Sequence, residues 1–458
     1  MSTLDQVATR AVAPTVYIPA NVLADRFLHA ALFVTIASSF FVVFEPAPFE
    51  YLAFILAFAC ILARVRFSRV IVPLFALFLI RDGSGAVGLL QIVINGYMRL
   101  TGQPYPLYGD VQYADSIRFL GVSFYLGMTG VMLACIVSQD TMRRIATMRA
   151  AYILAAVTSA ALGTLGYFSL NFNILPGMDF FTLYGRATGG FKGPNDLGGF
   201  LIAPLLWLIQ GFITDRIRLR NLVACIIIFI GQLLTFSRGA WLCSLFGAVA
   251  LFYFLLVTQN DRRTRNRLIL FIVVGVIAAV GIYMLMTSVD TINQMIASRS
   301  HLQEYDINGD NRSRLQLQEL SFEEMLLHPL GMGPWGFAHA TNIVSHNTYL
   351  GTAVNHGWIG GAAYLTILVL TLTLGFRALW LRTPWQSFLV PTYVAFITML
   401  FEGYWGDTDH WRHFYILLGL VWGLAAATQN IIWRARGAQA ISEQFINSPV
   451  QAFSSPSE

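Results

Sequence analysis

Charge is scarce in this chain of 458 residues: Asp, Glu, Lys and Arg make up 12% of it, against 56% hydrophobic residues. Soluble globular domains carry about a quarter charged residues, so composition excludes that class and points to an integral membrane protein. Cysteine is rare too. Cys60, Cys135, Cys225 and Cys243 fall inside apolar runs and form no CxxC pair, which argues against a disulfide framework or a zinc site and leaves them as small core residues. Lysine is nearly missing, with Lys192 alone among 29 basic residues. Residues 1–26 are polar and lack the form of a cleavable signal peptide, so the first span is expected to stay as an anchor.

What is abundant is long apolar runs. Segments able to cross a hydrocarbon core about 30 Å thick recur near 27–44, 50–63, 70–80, 116–137, 150–169, 196–213, 221–236, 239–257, 268–287, 347–376, 386–402 and 412–432. The second and third are the weakest, and the third runs on towards 97. The net charge of +5 does not indicate a nucleic-acid partner, because basic residues cluster in 64–69, 142–149, 215–220, 260–267, 377–382 and 434–436. These are alternate loops of a twelve-helix count, as the positive-inside rule demands. The expected fold is therefore all-α, with about twelve transmembrane helices, both termini cytoplasmic and a large periplasmic loop, 288–345, between the ninth and tenth. Residues 1–26 form a cytoplasmic tail, 27–436 the membrane domain and 437–458 a disordered cytoplasmic tail.

Several basic residues break this pattern by falling on or near the outer side: Arg81, Arg99, Arg118, Arg186, Lys192, Arg238, Arg299, Arg312, Arg314 and Arg412. Arg238 stands in "TFSRGAW" (235–241), where two apolar runs meet with almost no loop. It either snorkels to lipid headgroups or meets an anion. Arg186 and Lys192 lie in "YGRATGGFKGPNDLGGFL" (184–201), whose glycines permit close backbone approach and whose Asn195 or Asp196 could cap the next helix, a plausible anion site. Ordinary loop charges are the alternative. Convergence of several cations on one side favours anion binding.

In the long outer segment, 310–337 alternates apolar Leu315, Leu317, Leu320, Phe322 and Leu326 with polar residues, as in a helix lying on the membrane face. "HPLGMGPWGF" then breaks it, while Arg312 and Arg314 stand at its start. "EYDINGDN" (304–311) fails the calcium-loop spacing and is read as solvated loop. Where the chain re-enters the membrane, His346 and Asn347 stand together. Histidine can act as a base near neutral pH, the alternative being a structural role. The last outer loop, 401–414, offers Glu402, Asp407 and Asp409 as carboxylates able to orient a histidine, to bind sugar hydroxyls or to satisfy Arg412.

"TFSRGAW", "RSRLQLQEL…HPLGMGPWGF" (312–337) and "SHNTYLGTAVNHGWIGG" (345–361) resemble, in order and spacing, the O-antigen ligase and polymerase superfamily of bacterial envelope glycosyltransferases, and "GGFKGPNDLGGFL" (189–201) looks like its Asn-containing outer loop. The resemblance covers roughly 180–420. It implies transfer of a glycan from an undecaprenyl diphosphate carrier to a glycan or lipid A-core acceptor at the outer face of the inner membrane, without cofactor or essential metal. On that reading Arg238, Arg312, Arg314, Arg186 and Lys192 bind the diphosphate, with Asn195, Asn347 and Glu402 lining the site. His346 is the general base, oriented by Asp409 or, as lesser choices, Glu402 or Asp407. Polymerisation of repeat units is favoured over ligation, with membrane lipids and a chain-length regulator or flippase as candidate partners. A twelve-helix transporter is the rival from another class, but no repeat between halves is visible and the charges gather at one face rather than mid-bilayer.

Overall fold

The protein is described from a computed structural model covering residues 22–95, 110–173, 175–215, 217–258, 261–288 and 314–447. Arg99, Arg299, Arg312 and the 304–311 stretch lie outside the described residues. The helices are α1 (Val22–Ala37), α2 (Pro48–Leu62), α3 (Val72–Asn95), α4 (Asp110–Val137), α5 (Thr141–Phe172), α6 (Pro194–Thr214), α7 (Leu219–Leu234), α8 (Arg238–Thr258), α9 (Arg262–Ser288), α10 (Arg314–Leu327), α11 (Gly336–Thr341), α12 (Thr348–Leu379), α13 (Gln386–Gly403) and α14 (Arg412–Asn447). A two-residue antiparallel ladder, β1 (Thr182–Leu183) with β2 (Arg186–Ala187), is the sheet found among the described residues.

Every apolar stretch expected to cross the membrane is helical over most of its length. Eight helices among the described residues are long and apolar enough to span: Val22–Phe40, Arg69–Leu90, Tyr113–Val137, Thr141–Phe172, Pro194–Thr214, Arg238–Thr258, Thr348–Leu379 and Arg412–Trp433. Pro48–Leu62 and Leu219–Leu234 are apolar but shorter. The chain is a multi-pass membrane protein.

The third stretch runs on to Asn95, in line with its expected extension towards 97, and Arg81 and Asp82, which interrupt its apolarity, are buried against each other at 2.7 Å. Arg81 also donates to the Ser123 carbonyl at 2.8 Å and to Tyr415 at 3.1 Å, so its charge is satisfied inside the bundle. The last helix, in turn, continues to Asn447 and occupies 437–447 of the expected disordered tail. "AQAISEQ" (438–444) consists largely of good helix formers. Residues 448–458 lie outside the described residues.

The most extensive pairings set α12 on α3, α14 on α4 and α5 on α7. Backbones approach closely where side chains are absent: a Cβ on Gly419 of α14 would sit 2.7 Å from the Gly130 carbonyl of α4, the close packing that small residues permit between membrane helices. Indole donors bind threonine hydroxyls across helices, Trp207 to Thr392 at 3.0 Å and Trp422 to Thr371 at 2.7 Å. Asp25 of α1 is buried, and its two oxygens pair with Arg143, at 2.6 Å, and with Arg144 of α5. Arg412 at the start of α14 is likewise buried, donating from Nε to Glu50 of α2 at 2.7 Å. Unpaired, each of these charges would be costly in a bilayer.

The expected surface helix is α10, broken where the sequence breaks. Leu315, Phe322 and Leu326 are exposed while Leu317 is buried. The chain after the break docks on a kink in α12, where Gly357 takes φ 74° and ψ 179°. Its missing Cβ would stand 2.6 Å from the Leu330 carbonyl carbon, so only glycine fits. The kink lets the Val354 carbonyl accept from Met332 N at 2.7 Å, and Trp358 N donates to Pro329 O at 2.9 Å. That docking fixes Trp335 and Phe337 beside the end of the bundle that carries His346.

Candidate active site

The connection between α11 and α12 presents the histidine. Asn347 caps α12, its side-chain oxygen accepting from Tyr349 N at 3.0 Å and Leu350 N at 3.1 Å. Its expected place in the site is thus a structural one, holding the turn rather than offering its oxygen to a ligand. His346 precedes it in the left-handed region, φ 51°, uncommon for a non-glycine residue. Gln318 of α10 donates to the His346 carbonyl at 3.2 Å and to the Tyr404 carbonyl at 3.1 Å, pinning this loop to the one after α13.

From that second loop Asp407 faces the imidazole, with Oδ2 3.6 Å from His346 Nδ1. The sequence favoured Asp409 for this position. Asp409 instead turns to His410, Oδ2 to Nδ1 at 3.1 Å, because the short helical turn at 408–410 sends alternate side chains to different neighbours. At 3.6 Å the Asp407–His346 contact exceeds the usual hydrogen-bond limit, and catalytic bonds of this kind commonly tighten when substrate arrives. Ser345 reaches the other Asp407 oxygen at 3.4 Å. His346 Nε2 is buried and has no hydrogen-bond partner.

The electrostatics divide the pair. Burial, then the Arg314 charge, pushes His346 down to about 4, so it is neutral at pH 7. Burial, then repulsion from Asp409, pushes Asp407 up to about 7 against the Ser345 hydroxyl. Asp409 stays low although burial opposes it, because His410 pairs with it.

Arg314 begins α10 and donates to the Trp405 carbonyl at 3.4 Å. Desolvation, then the Arg238 charge, lowers it, so the two arginines lie within electrostatic reach. Arg238 is exposed at the start of α8, after a tight turn in which Phe236 has φ 45° and Ser237 Oγ accepts from Ala240 N at 3.4 Å. Arg186 supports that turn, donating from Nε to Thr235 O at 2.7 Å and from Nη2 to Asn195 Oδ1 at 2.9 Å. Asn195 therefore holds an arginine instead of capping. The cap position of α6 is Gly193, with Pro194 in its first turn.

Two other expected residues stand apart. Lys192 pairs with Glu45 at 2.8 Å, a carboxylate the sequence analysis did not single out. Glu402 is buried against α6, where a Cβ on Gly199 would meet its Oε2 at 2.7 Å. Arg312 lies outside the described residues. Among the described residues no group of three or more His, Cys, Asp or Glu is arranged to hold a metal ion. Past Ser345 and Asp407 opens a cavity of about 220 Å³, lined among others by Phe119, Lys192, Asp196, Trp335, Phe337, Asp409 and His410, with His346 itself off the lining.

Fold and site define a multi-pass helical membrane protein that gathers a histidine, carboxylates and arginines at one end of its bundle. Residues 223–365 match the family model described as O-Antigen ligase, which supports the O-antigen ligase and polymerase superfamily and, with it, a membrane glycosyltransferase of ligase or polymerase type. The match takes in Arg238, Arg314, His346 and Asn347 and ends before the loop that carries Asp407. No curated protein matches the chain.

Proposed function

We propose that the protein moves a glycan from an undecaprenyl diphosphate carrier to an acceptor hydroxyl at the periplasmic face of the inner membrane, polymerising the repeat units of an exopolysaccharide or O antigen. The observation that supports this most is His346 facing Asp407 at 3.6 Å within electrostatic reach of Arg314, which in turn feels the charge of Arg238. The acceptor oxygen attacks the anomeric carbon while its proton passes to His346 Nε2. The bond from that carbon to the diphosphate oxygen breaks, and its electron pair leaves with the lipid diphosphate. Charge gathering there faces Arg238 and Arg314, whose planar forks suit phosphate oxygens and stay protonated at any working pH. Attack opposite the leaving group inverts the anomeric centre. Asp407, when ionised, takes the Nδ1 proton's hydrogen bond and stabilises the imidazolium that forms. Arg186 serves by fixing the turn before Arg238, and Lys192, held by Glu45 on the lining of the neighbouring cavity, is not among the diphosphate ligands of this proposal.

Reconstituted protein supplied with lipid diphosphate-linked repeat units is expected to give a ladder of lengthening lipid-linked glycans. A single transfer that needs added lipid A core would make it a ligase, and no consumption of donor under either condition would refute the proposal. The pH profile tests the pair. Asp407 loses its charge as pH falls through about 7, whereas His346 stays neutral until about 4, so kcat/KM is expected to decline on the acid side with a midpoint near 7. Asp409→Asn removes the second cause of that elevation and shifts the limb to lower pH. An unshifted limb in that variant would dissociate Asp407 from catalysis.

A further inference from the structure

The cavity past Ser345 and Asp407 has a chemistry of its own. At about 220 Å³ it is smaller than the roughly 300–1,000 Å³ of pockets for drug-sized ligands, which suits one sugar ring and not an extended glycan. One wall is aromatic, with the Phe119 ring from α4 centred 5.0 Å from the Trp335 indole. Trp335 is held at φ 64°, a strained conformation for a bulky residue of the kind that persists where surrounding structure over-determines it. The other wall carries Asp407 and Asp409.

Of the lysine and arginine on the lining, Lys192 pairs with Glu45 at 2.8 Å, a carboxylate Arg118 also reaches at 3.3 Å, and Arg412 pairs with Glu50 at 2.7 Å; Asp196 shares the lining with Asp407 and Asp409. Arg186, Arg238 and Arg314 do not line the cavity. A diphosphate would therefore meet carboxylates here rather than free positive charge, which leaves this side for the acceptor. Asp407 belongs both to the cavity wall and to the His346 pair, so a sugar held here lies one side chain away from the base, which is not itself on the lining.

We propose that this cavity is the acceptor subsite and takes a pyranose ring bearing no negative charge, its face against Phe119 and Trp335 and its hydroxyls donating to Asp409 and Asp407. The inference rests on the glycosyl-transfer reading and adds the acceptor's chemical class to it. Ring C–H groups give an apolar face to lay on aromatic side chains, while hydroxyls satisfy carboxylate acceptors. A uronic acid or phosphorylated sugar would bring an anion to a lining on which the carboxylates Glu45, Asp196, Asp407 and Asp409 outnumber Lys192 and Arg412, a repulsive selection against the wrong ligand.

The test is direct binding, read by saturation-transfer-difference NMR on full-length protein in nanodiscs with methyl glycosides of a neutral hexose, an N-acetylhexosamine and glucuronic acid. The uncharged glycosides are expected to bind and the glucuronide not. Trp335→Ala lowers the signal about tenfold, Trp335→Phe restores part of it, and Arg238→Ala leaves it unchanged. Equal binding of the glucuronide, or an unchanged signal in both Trp335→Ala and Phe119→Leu, overturns the proposal. A transfer assay separates the two readings. Binding as expected with no donor consumed would refute glycosyl transfer while leaving a saccharide site; transfer inhibited as well by glucuronide as by the uncharged sugars would refute the subsite alone.

Discussion

His346→Ala lowers glycan transfer by about 10²- to 10⁴-fold, the range that a positioned general base supplies, with membrane insertion and thermal stability close to wild type. Stability is preserved because the loop is held through its backbone. Gln318 donates to the His346 carbonyl and Asn347 caps α12 with its own side chain, and neither bond involves the imidazole. The ring's Nε2 makes no hydrogen bond to lose. His346→Gln separates positioning from proton transfer: an amide can accept the acceptor hydroxyl's hydrogen bond but cannot take its proton. If glutamine restored full activity, the histidine would be an orienting group and the base would lie elsewhere. The measurement is consumption of lipid-linked donor in a single turnover, beside a melting curve for each variant.

Arg238→Ala is expected to reduce kcat by about 10²- to 10³-fold, as loss of one preorganised donor at a developing anion does. The residue opens α8, where the positive end of the helix dipole disfavours a cation, and its charge acts on Arg314. An incoming diphosphate reverses the sign of both effects, since helix N-terminus and arginine pair then act together on one anion. Arg238→Lys keeps the charge but loses the two-pronged fork, so it recovers only part of the rate. Removing Arg314 as well should cost less than the product of the single losses, because the two serve one group. A variant that lost stability and activity in proportion would mark Arg238 as structural.

Hydropathy carried most of the fold. The apolar runs became helices because a buried backbone in lipid must satisfy its own hydrogen bonds. The end of the third helix was left open between 80 and 97 from sequence because Arg81 and Asp82 look like a membrane boundary until their mutual pairing, and Tyr415 from the far end of the chain, are seen. At the site, the motifs holding Arg238, Arg314 and His346 were legible, and the fold brings them together. The choice of Asp407 over Asp409 was not, since both lie in one loop and only a single turn of 3₁₀ helix decides which carboxylate faces which imidazole. Glu45 was invisible for a similar reason. Nothing near it in sequence foretells that Lys192 and Arg118 would both reach it. Asn195 and Asn347 were recognisable as important, but local hydrogen bonding, not ligand chemistry, accounts for what their side chains hold.

The buried pair between Glu50 and Arg412 sets a timetable for biogenesis. The two are 362 residues apart, and Arg81 waits across 334 for Tyr415. At roughly 5–20 residues per second, the glutamate spends roughly 20–70 s on the ribosome-bound chain before its partner is made. Throughout that interval Glu50 lacks its arginine and Arg81 has only the adjacent Asp82, so the early helices reach their final lateral arrangement only when the last helix arrives. Closure of the bundle is thus the last event of synthesis, and a chain truncated before its final helix is a substrate for degradation rather than a partly active enzyme.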